Sequence, residues 1–278
     1  MGEQAFRFGR ANHLIGIAGV PANQVADAVG VIVLNAGLVH RVGPFRLNVD
    51  MTRRLNDMGY PTLRFDLSTI GDSGASGESQ TRVQQVCADV DDAMALLRKQ
   101  AGCERFVLVG LCSGAEKAHT VARDHGSHQK LKGVVFLDGF AYRTLGFKFR
   151  HYVPRMLDAK RWWRWLARKS REITDGDAPV FGVAPLPQDV VSADLRDMVE
   201  RGMKLCMIYS GGINMYFNHS RQFRECFGSV MASEAVSTRY IEETDHTYVL
   251  VDDRRHLIDH IEAWLCRNFP TTHAGVSP

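Results

Sequence analysis

The chain has 278 residues, 45% of them hydrophobic, which is enough for a sizeable core and close to the length at which single α/β domains stop growing. Charged residues make up 23% and the net charge is +3, totals that exclude a disordered chain and give no case for a dedicated nucleic-acid binder. Six scattered cysteines form no C-x-x-C pair and no zinc spacing, and no stretch approaches the roughly 18 apolar residues of a membrane span, so neither a metal site nor an integral membrane protein is expected.

In chain order, the polar stretch Met1 to Arg10 lacks the apolar core of a secretory leader, and with reduced thiols this predicts a cytoplasmic protein. Phe6 to Phe8 and Leu14 to Val20 read as two opening strands. Val29 to Leu34 is almost wholly apolar, as a strand buried on both faces is, and Phe45 to Met58 reads as the helix packed on it. Thr62 to Asp66 is the next strand. Val83, Val86, Val90, Ala93, Met94 and Leu97 recur at three- and four-residue steps and predict a helix with one apolar stripe. Phe106 to Val109 is a strand, Ser113 to Asp124 a helix, and Val134 to Leu137, Leu205 to Tyr209 and Thr238 to Ile241 are further strands. Leu257, Ile258, Ile261 and Leu265 mark a closing helix. This alternation predicts an α/β protein with a mostly parallel, doubly wound sheet.

Between Gly139 and Gly202 the alternation stops. The expected organisation is a core over 1–139, a helical cap or lid over 140–202, the rest of the core over 203–270 and a flexible tail over 271–278. Within the cap, Lys160 to Lys169 interleaves basic residues with Trp162, Trp163 and Trp165. Three readings stand: tryptophans lining an apolar substrate pocket, a docking face for an acidic acyl carrier protein, and a membrane-surface helix.

The strongest local signal is Gly110-Leu111-Cys112-Ser113-Gly114, a G-x-C-x-G sequence between an apolar strand and a helix. In that context the central side chain stands on a strained turn while the glycines let strand and helix pass closely. Cys112 is in register and Ser113 is not, because moving the frame by one puts Leu111 and Ala115 where glycines belong. The helix N-terminus favours a thiolate, and backbone N–H groups there can receive an oxyanion. The expected donors are the N–H groups of Ser113 and of Leu38, in the loop after the third strand.

Asp245-His246-Thr247-Tyr248 follows the last strand and precedes the final helix, which makes His246 the candidate base for Cys112. The acid is open. The position after the penultimate strand reads Ser210-Gly211-Gly212-Ile213-Asn214 and carries no carboxylate, although Asn214 is able to orient an imidazole as in Cys-His-Asn proteases. Asp138, at the end of the preceding strand, ranks slightly ahead of Asn214, and Asp245 and Glu243 rank last.

These residues resemble the α/β-hydrolase superfamily over most of the chain. Arg41-Val42-Gly43, Phe65-Asp66 with Gly71-Asp72-Ser73, and Gly110-Leu111-Cys112 with Gly114-Ala115 look closest to the hydrolases associated with exosortase systems. Ser68-Thr69 departs from the Arg-Gly usual there, and Ile213-Asn214 from the usual Asp. Dienelactone hydrolases and polyhydroxyalkanoate synthases, other Cys-bearing members of this fold, mark a range from hydrolysis to acyl transfer. The resemblance implies the α/β-hydrolase fold with a cap and a Cys nucleophile, and the residues themselves predict a cofactor-free acyl-transfer enzyme in which Cys112 attacks the ester, thioester or lactone carbonyl of a small acyl substrate. The competing class is a non-catalytic descendant that keeps the pocket as a binding module. Gly71, Gly74 and Gly77 lack phosphate-loop spacing, and His256 with His260 lacks a third metal ligand.

Overall fold

Alternate residues of the apolar central segments go to opposite faces, and each face is buried by its own set of helices. In the computed structural model, which describes residues 2–22, 28–124, 130–157 and 186–271, eight strands form one sheet: β1 Gly2–Phe8, β2 Leu14–Val20, β3 Gly30–Val33, β4 Thr62–Asp66, β5 Phe106–Leu111, β6 Leu131–Leu137, β7 Lys204–Ser210 and β8 Val236–Ile241. Their order is β1-β2-β4-β3-β5-β6-β7-β8. β1 pairs antiparallel with β2 and β2 with β4, and all later pairings are parallel.

The seven α-helices among the described residues are α1 Leu47–Asp57, α2 Arg82–Ala101, α3 Ser113–Ala122, α4 Leu145–Leu157, α5 Gln188–Glu200, α6 Gln222–Phe227 and α7 Val251–Asn268. Ile32, Leu108, Val134, Phe136, Leu205 and Met207 face one buried cluster with α2, α3, α5 and α6. Val31, Val33, Val107, Val109, Val135 and Ile208 face the other, closed by Leu47, Met51 and Leu55 of α1 and by Leu257, Ile261 and Leu265 of α7. The sheet is thus wound on both sides, and the carboxyl ends of its parallel strands converge along one edge.

Two expectations are corrected. The helix expected from Phe45 starts at Leu47, because Phe45 and Arg46 both have positive φ and form a separate turn with Pro44. Val83 does not belong to the buried stripe of α2: it is exposed in the first turn, between the Thr81 and Gln84 of the capping box that starts the helix, while Val86, Val90, Ala93, Met94 and Leu97 are buried.

In the interrupted region, α4 is tied to α6 by Arg150, whose guanidinium donates to Glu225 Oε1 at 2.9 Å and to Asn218 Oδ1 at 3.1 Å. α5 buries Val191, Leu195 and Met198 in the cluster it shares with α3 and α6. Trp162, Trp163 and Trp165, with the basic helix expected around them, lie outside the described residues, as does most of the C-terminal tail. Among the described residues no helix is long and apolar enough to cross a membrane, and no group of three or more His, Cys, Asp or Glu side chains is placed to hold a metal ion.

Candidate active site

β5 ends at Leu111 and α3 begins at Ser113, so Cys112 makes the whole turn, with φ 55° and ψ −119°. A non-glycine residue in that region is strained and is held there by its surroundings. Here the Cys112 N–H donates to the Leu137 carbonyl at 2.8 Å, and its carbonyl accepts from the Ala115 N–H at 2.9 Å. The glycines are required by close approach. A Cβ on Gly110 would overlap the carbonyl of Gly114, and one on Gly114 would lie 2.8 Å from the Asn35 carbonyl oxygen. Cys112 is half-buried at the mouth of this turn, and all six cysteines are free thiols.

Asp138 follows β6 with a positive φ of 46°. Its N–H donates to the Ile208 carbonyl at 3.0 Å, and its side chain is fully buried. One carboxylate oxygen accepts from the Ser210 N–H at 2.6 Å, and the other from the Ser210 hydroxyl at 2.6 Å and from His246 Nδ1 at 2.8 Å. Because Nδ1 is engaged with Asp138, Nε2 is the ring atom left for the sulfur. The Asp138 carboxylate and then Cys112 raise the His246 pKa from its ordinary value to about 10, against the opposing effect of burial. The ring is therefore a proton holder at neutral pH.

The segment after β7 carries glycines for a reason that sequence reading did not reveal. A Cβ on Gly211 would overlap the Glu242 carbonyl, and one on Gly212 would overlap the backbone of His246, whose loop is also held by the Gly212 N–H donating to Thr244 at 3.0 Å. A side chain at either position would push the His246 loop away. Asn214 lies beyond, exposed on the turn Gly211–Ile213, and no described hydrogen bond joins it to His246. Asp245 builds the loop instead of orienting the ring, accepting from the N–H groups of Thr247 at 2.8 Å and Val249 at 2.9 Å. Glu243 is exposed.

The loop after β3 faces the start of α3. The Gly37 N–H donates to the Ser113 hydroxyl at 2.6 Å and the Val39 N–H to the Ala36 carbonyl at 2.9 Å. Leu38 lies between them, 91% exposed. Behind this loop, buried Asp66 accepts from the Arg41 N–H and the Arg41 guanidinium, both at 2.5 Å, and from the Asn35 amide at 3.1 Å, while Arg41 also reaches Asp72 at 2.6 Å. Two of the three stretches that carried the family resemblance are therefore one polar knot under the loop.

Sequence reading overlooked Ser210, Asn35 and Lys117. Lys117 is buried on α3, and burial pulls its pKa down to about 8, with Arg82 adding to the effect. Only the general rule that buried charge is rare gives such a residue away, and a sequence does not display burial.

This arrangement of strands and helices is shared with known hydrolases. The chain is similar to an esterase from Pyrococcus furiosus (TM-score 0.63, 13% identity, 96% of this chain and 91% of that one). It is also similar to the esterase domain of a Rhodothermus marinus protein (0.56, 16%, 96% and 98%) and to a serine hydrolase without a lid from Xanthomonas campestris (0.54, 13%, 98% and 96%). At these identities the likeness establishes architecture: the chain has the α/β-hydrolase fold. No family model and no curated protein matches the sequence.

Proposed function

We propose that the protein is a cysteine-dependent acyl-transfer enzyme acting on an ester, thioester or lactone carbonyl. One observation carries the reading: His246, whose Nδ1 lies 2.8 Å from the buried Asp138 carboxylate, is also hydrogen-bonded to the turn residue Cys112. In this reading the proton of the thiol resides on His246 and the sulfur attacks the carbonyl carbon. As the C–S bond forms, the carbonyl electron pair moves to oxygen, where the N–H groups of Ser113 and Leu38 receive it. Collapse of the adduct breaks the bond to the leaving alcohol or thiol, which takes the proton from His246. The acyl-thioester is then attacked by water or another acceptor, which gives its proton to His246 as the Cys112 sulfur departs. Asp138 keeps the ring in one tautomer and balances its charge.

The acceptor decides between hydrolase and acyltransferase, and a thioester acyl-enzyme is an activated donor for either. A small acyl substrate and a cytoplasmic setting, in which the thiol stays reduced, belong to the same proposal. So does docking of an acyl carrier protein on the basic stretch Lys160 to Lys169.

The test is alkylation by chloroacetamide with mass-spectrometric site assignment, followed by trapping of an acyl-enzyme with activated esters. The reading requires Cys112 to react faster than the other five thiols, to lose that advantage in His246→Ala, and to gain an acyl mass. Reaction of Cys112 no faster than a free thiol supports a non-catalytic binding protein instead.

A further inference from the structure

A backbone amide stabilises an oxyanion only if it is already aimed when the charge develops. The stretch Asn35 to Arg41 has no regular secondary structure, so its aim has to come from side chains elsewhere. Two amides of this stretch are fixed from outside it. The Gly37 N–H is held by Ser113 Oγ at 2.6 Å, on the residue that follows Cys112, and the Arg41 N–H by the buried Asp66 carboxylate at 2.5 Å. Between these points Asn35 donates from its side chain to the Val39 carbonyl at 3.3 Å, and the Val39 N–H closes on Ala36. Leu38 contributes the one N–H of residues 37–39 without a described acceptor.

We infer that the Ser113 hydroxyl is a positioning group that registers the loop after β3 against the Cys112 turn, with the Asp66–Arg41 pair fixing the loop's far end, so that the Leu38 N–H is set as half of the oxyanion site. Ser113 then serves the site twice, by its own N–H and through the loop its side chain holds. This rests on the acyl-transfer reading. It accounts for a serine beside the nucleophile position that the reaction itself does not consume. It also makes the hydroxyl, and not merely the volume, the property required at position 113.

Two probes on the full chain separate this role from a structural one. Chloroacetamide is displaced at its CH2 carbon and develops no oxyanion, so its rate at Cys112 reads the sulfur and His246 alone. p-Nitrophenyl acetate acylates through a tetrahedral adduct, so the p-nitrophenolate burst reads the oxyanion site as well. Removing an oxyanion donor outright costs about 100- to 1000-fold, and loosening one should cost less. We expect Ser113→Ala to slow acylation about 10- to 100-fold while alkylation changes by less than about twofold, and Ser113→Thr to recover most of the loss. Should Ser113→Ala fail to fold, Ser113→Thr against Ser113→Val makes the same comparison at matched volume. Equal losses with both probes, or an unchanged burst, would overturn the inference. A wild type that alkylates at Cys112 but is not acylated overturns it too, whereas a wild type whose Cys112 is no faster than the other thiols sinks the acyl-transfer reading first.

Discussion

Asp138 and His246 are 108 residues apart in the chain, yet a carboxylate oxygen of one lies 2.8 Å from Nδ1 of the other. Ser210, at the end of β7, occupies both carboxylate oxygens with its N–H and hydroxyl. The carboxylate is thereby fixed in orientation before the ring meets it, as a preorganised partner must be.

Asp138→Asn keeps the shape and removes the charge. Its amide nitrogen, if turned to the ring, demands the opposite tautomer. We expect turnover to fall by about 100- to 10,000-fold, the range seen when a carboxylate that orients a catalytic histidine is neutralised. Stability carries a second signature. The folded pKa of His246 is raised to about 10 from an ordinary value of 6.5, so the interaction stabilises fully below about pH 6.5 and its contribution disappears as pH rises through about 10. The stability gap between wild type and Asp138→Asn in denaturant unfolding should therefore narrow over that window. A gap independent of pH would show that the ring is not the carboxylate's main partner.

Replacing the sulfur separates the nucleophile from its support. Cys112→Ala should abolish turnover, with no acyl mass on the protein. Cys112→Ser should retain little, because a hydroxyl at this turn needs stronger base assistance than a thiol does. Full activity in Cys112→Ala, measured with any ester that the wild type turns over, would exclude the mechanism.

Much of this architecture is readable from residue order because period and composition report burial directly. β3, β5, β6 and β7 are apolar on both faces, and the glycines of the Cys112 turn state a close approach that the structure contains. Identifying the partner of His246 is different in kind. Asp138 and Asn214 are both polar residues in segments that follow strands, and the choice depends on which one the chain brings to the ring. The deciding fact is that Gly211 and Gly212 lie against the backbone of the His246 loop. The helix start at Leu47 was hidden for a similar reason, since the positive φ of Phe45 and Arg46 is imposed by the surroundings and not by their side-chain types. The Arg41–Asp66–Asp72 knot joins residues that are individually unremarkable for surface loops.

The two glycines of the turn give a prediction about folding. Gly110→Ala would drive a methyl into the Gly114 carbonyl, where strand and helix backbones meet and neither can move alone. We expect destabilisation of at least about 3 kcal/mol, or loss of soluble protein, from a steric conflict of this kind. Gly114→Ala, facing the Asn35 carbonyl oxygen at 2.8 Å, should cost less and should additionally disturb the loop after β3. Chemical denaturation of both variants checks the order, and a Gly110→Ala protein as stable as wild type would contradict the close packing.

Lys117 offers the opposite case, a substitution that should stabilise. Its side chain is only 8% exposed, it has no described hydrogen bond or ion pair, and burial lowers its pKa from 10.5 to about 8. At neutral pH the amine is therefore still protonated, and the fold bears the cost of an unpaired buried cation, on the order of 3 kcal/mol for a shift of this size. Lys117→Met keeps the length and removes the charge. Its advantage should be complete below about pH 8 and should fade between about pH 8 and 10.5, as the wild-type amine becomes neutral in both the folded and the unfolded chain. Unfolding curves for the two proteins at pH 7 and pH 10.5 decide it. A methionine variant less stable at pH 7 would mean that the ammonium has a partner in solution, and the first candidate is Glu116, the acidic neighbour that most favours its charged form.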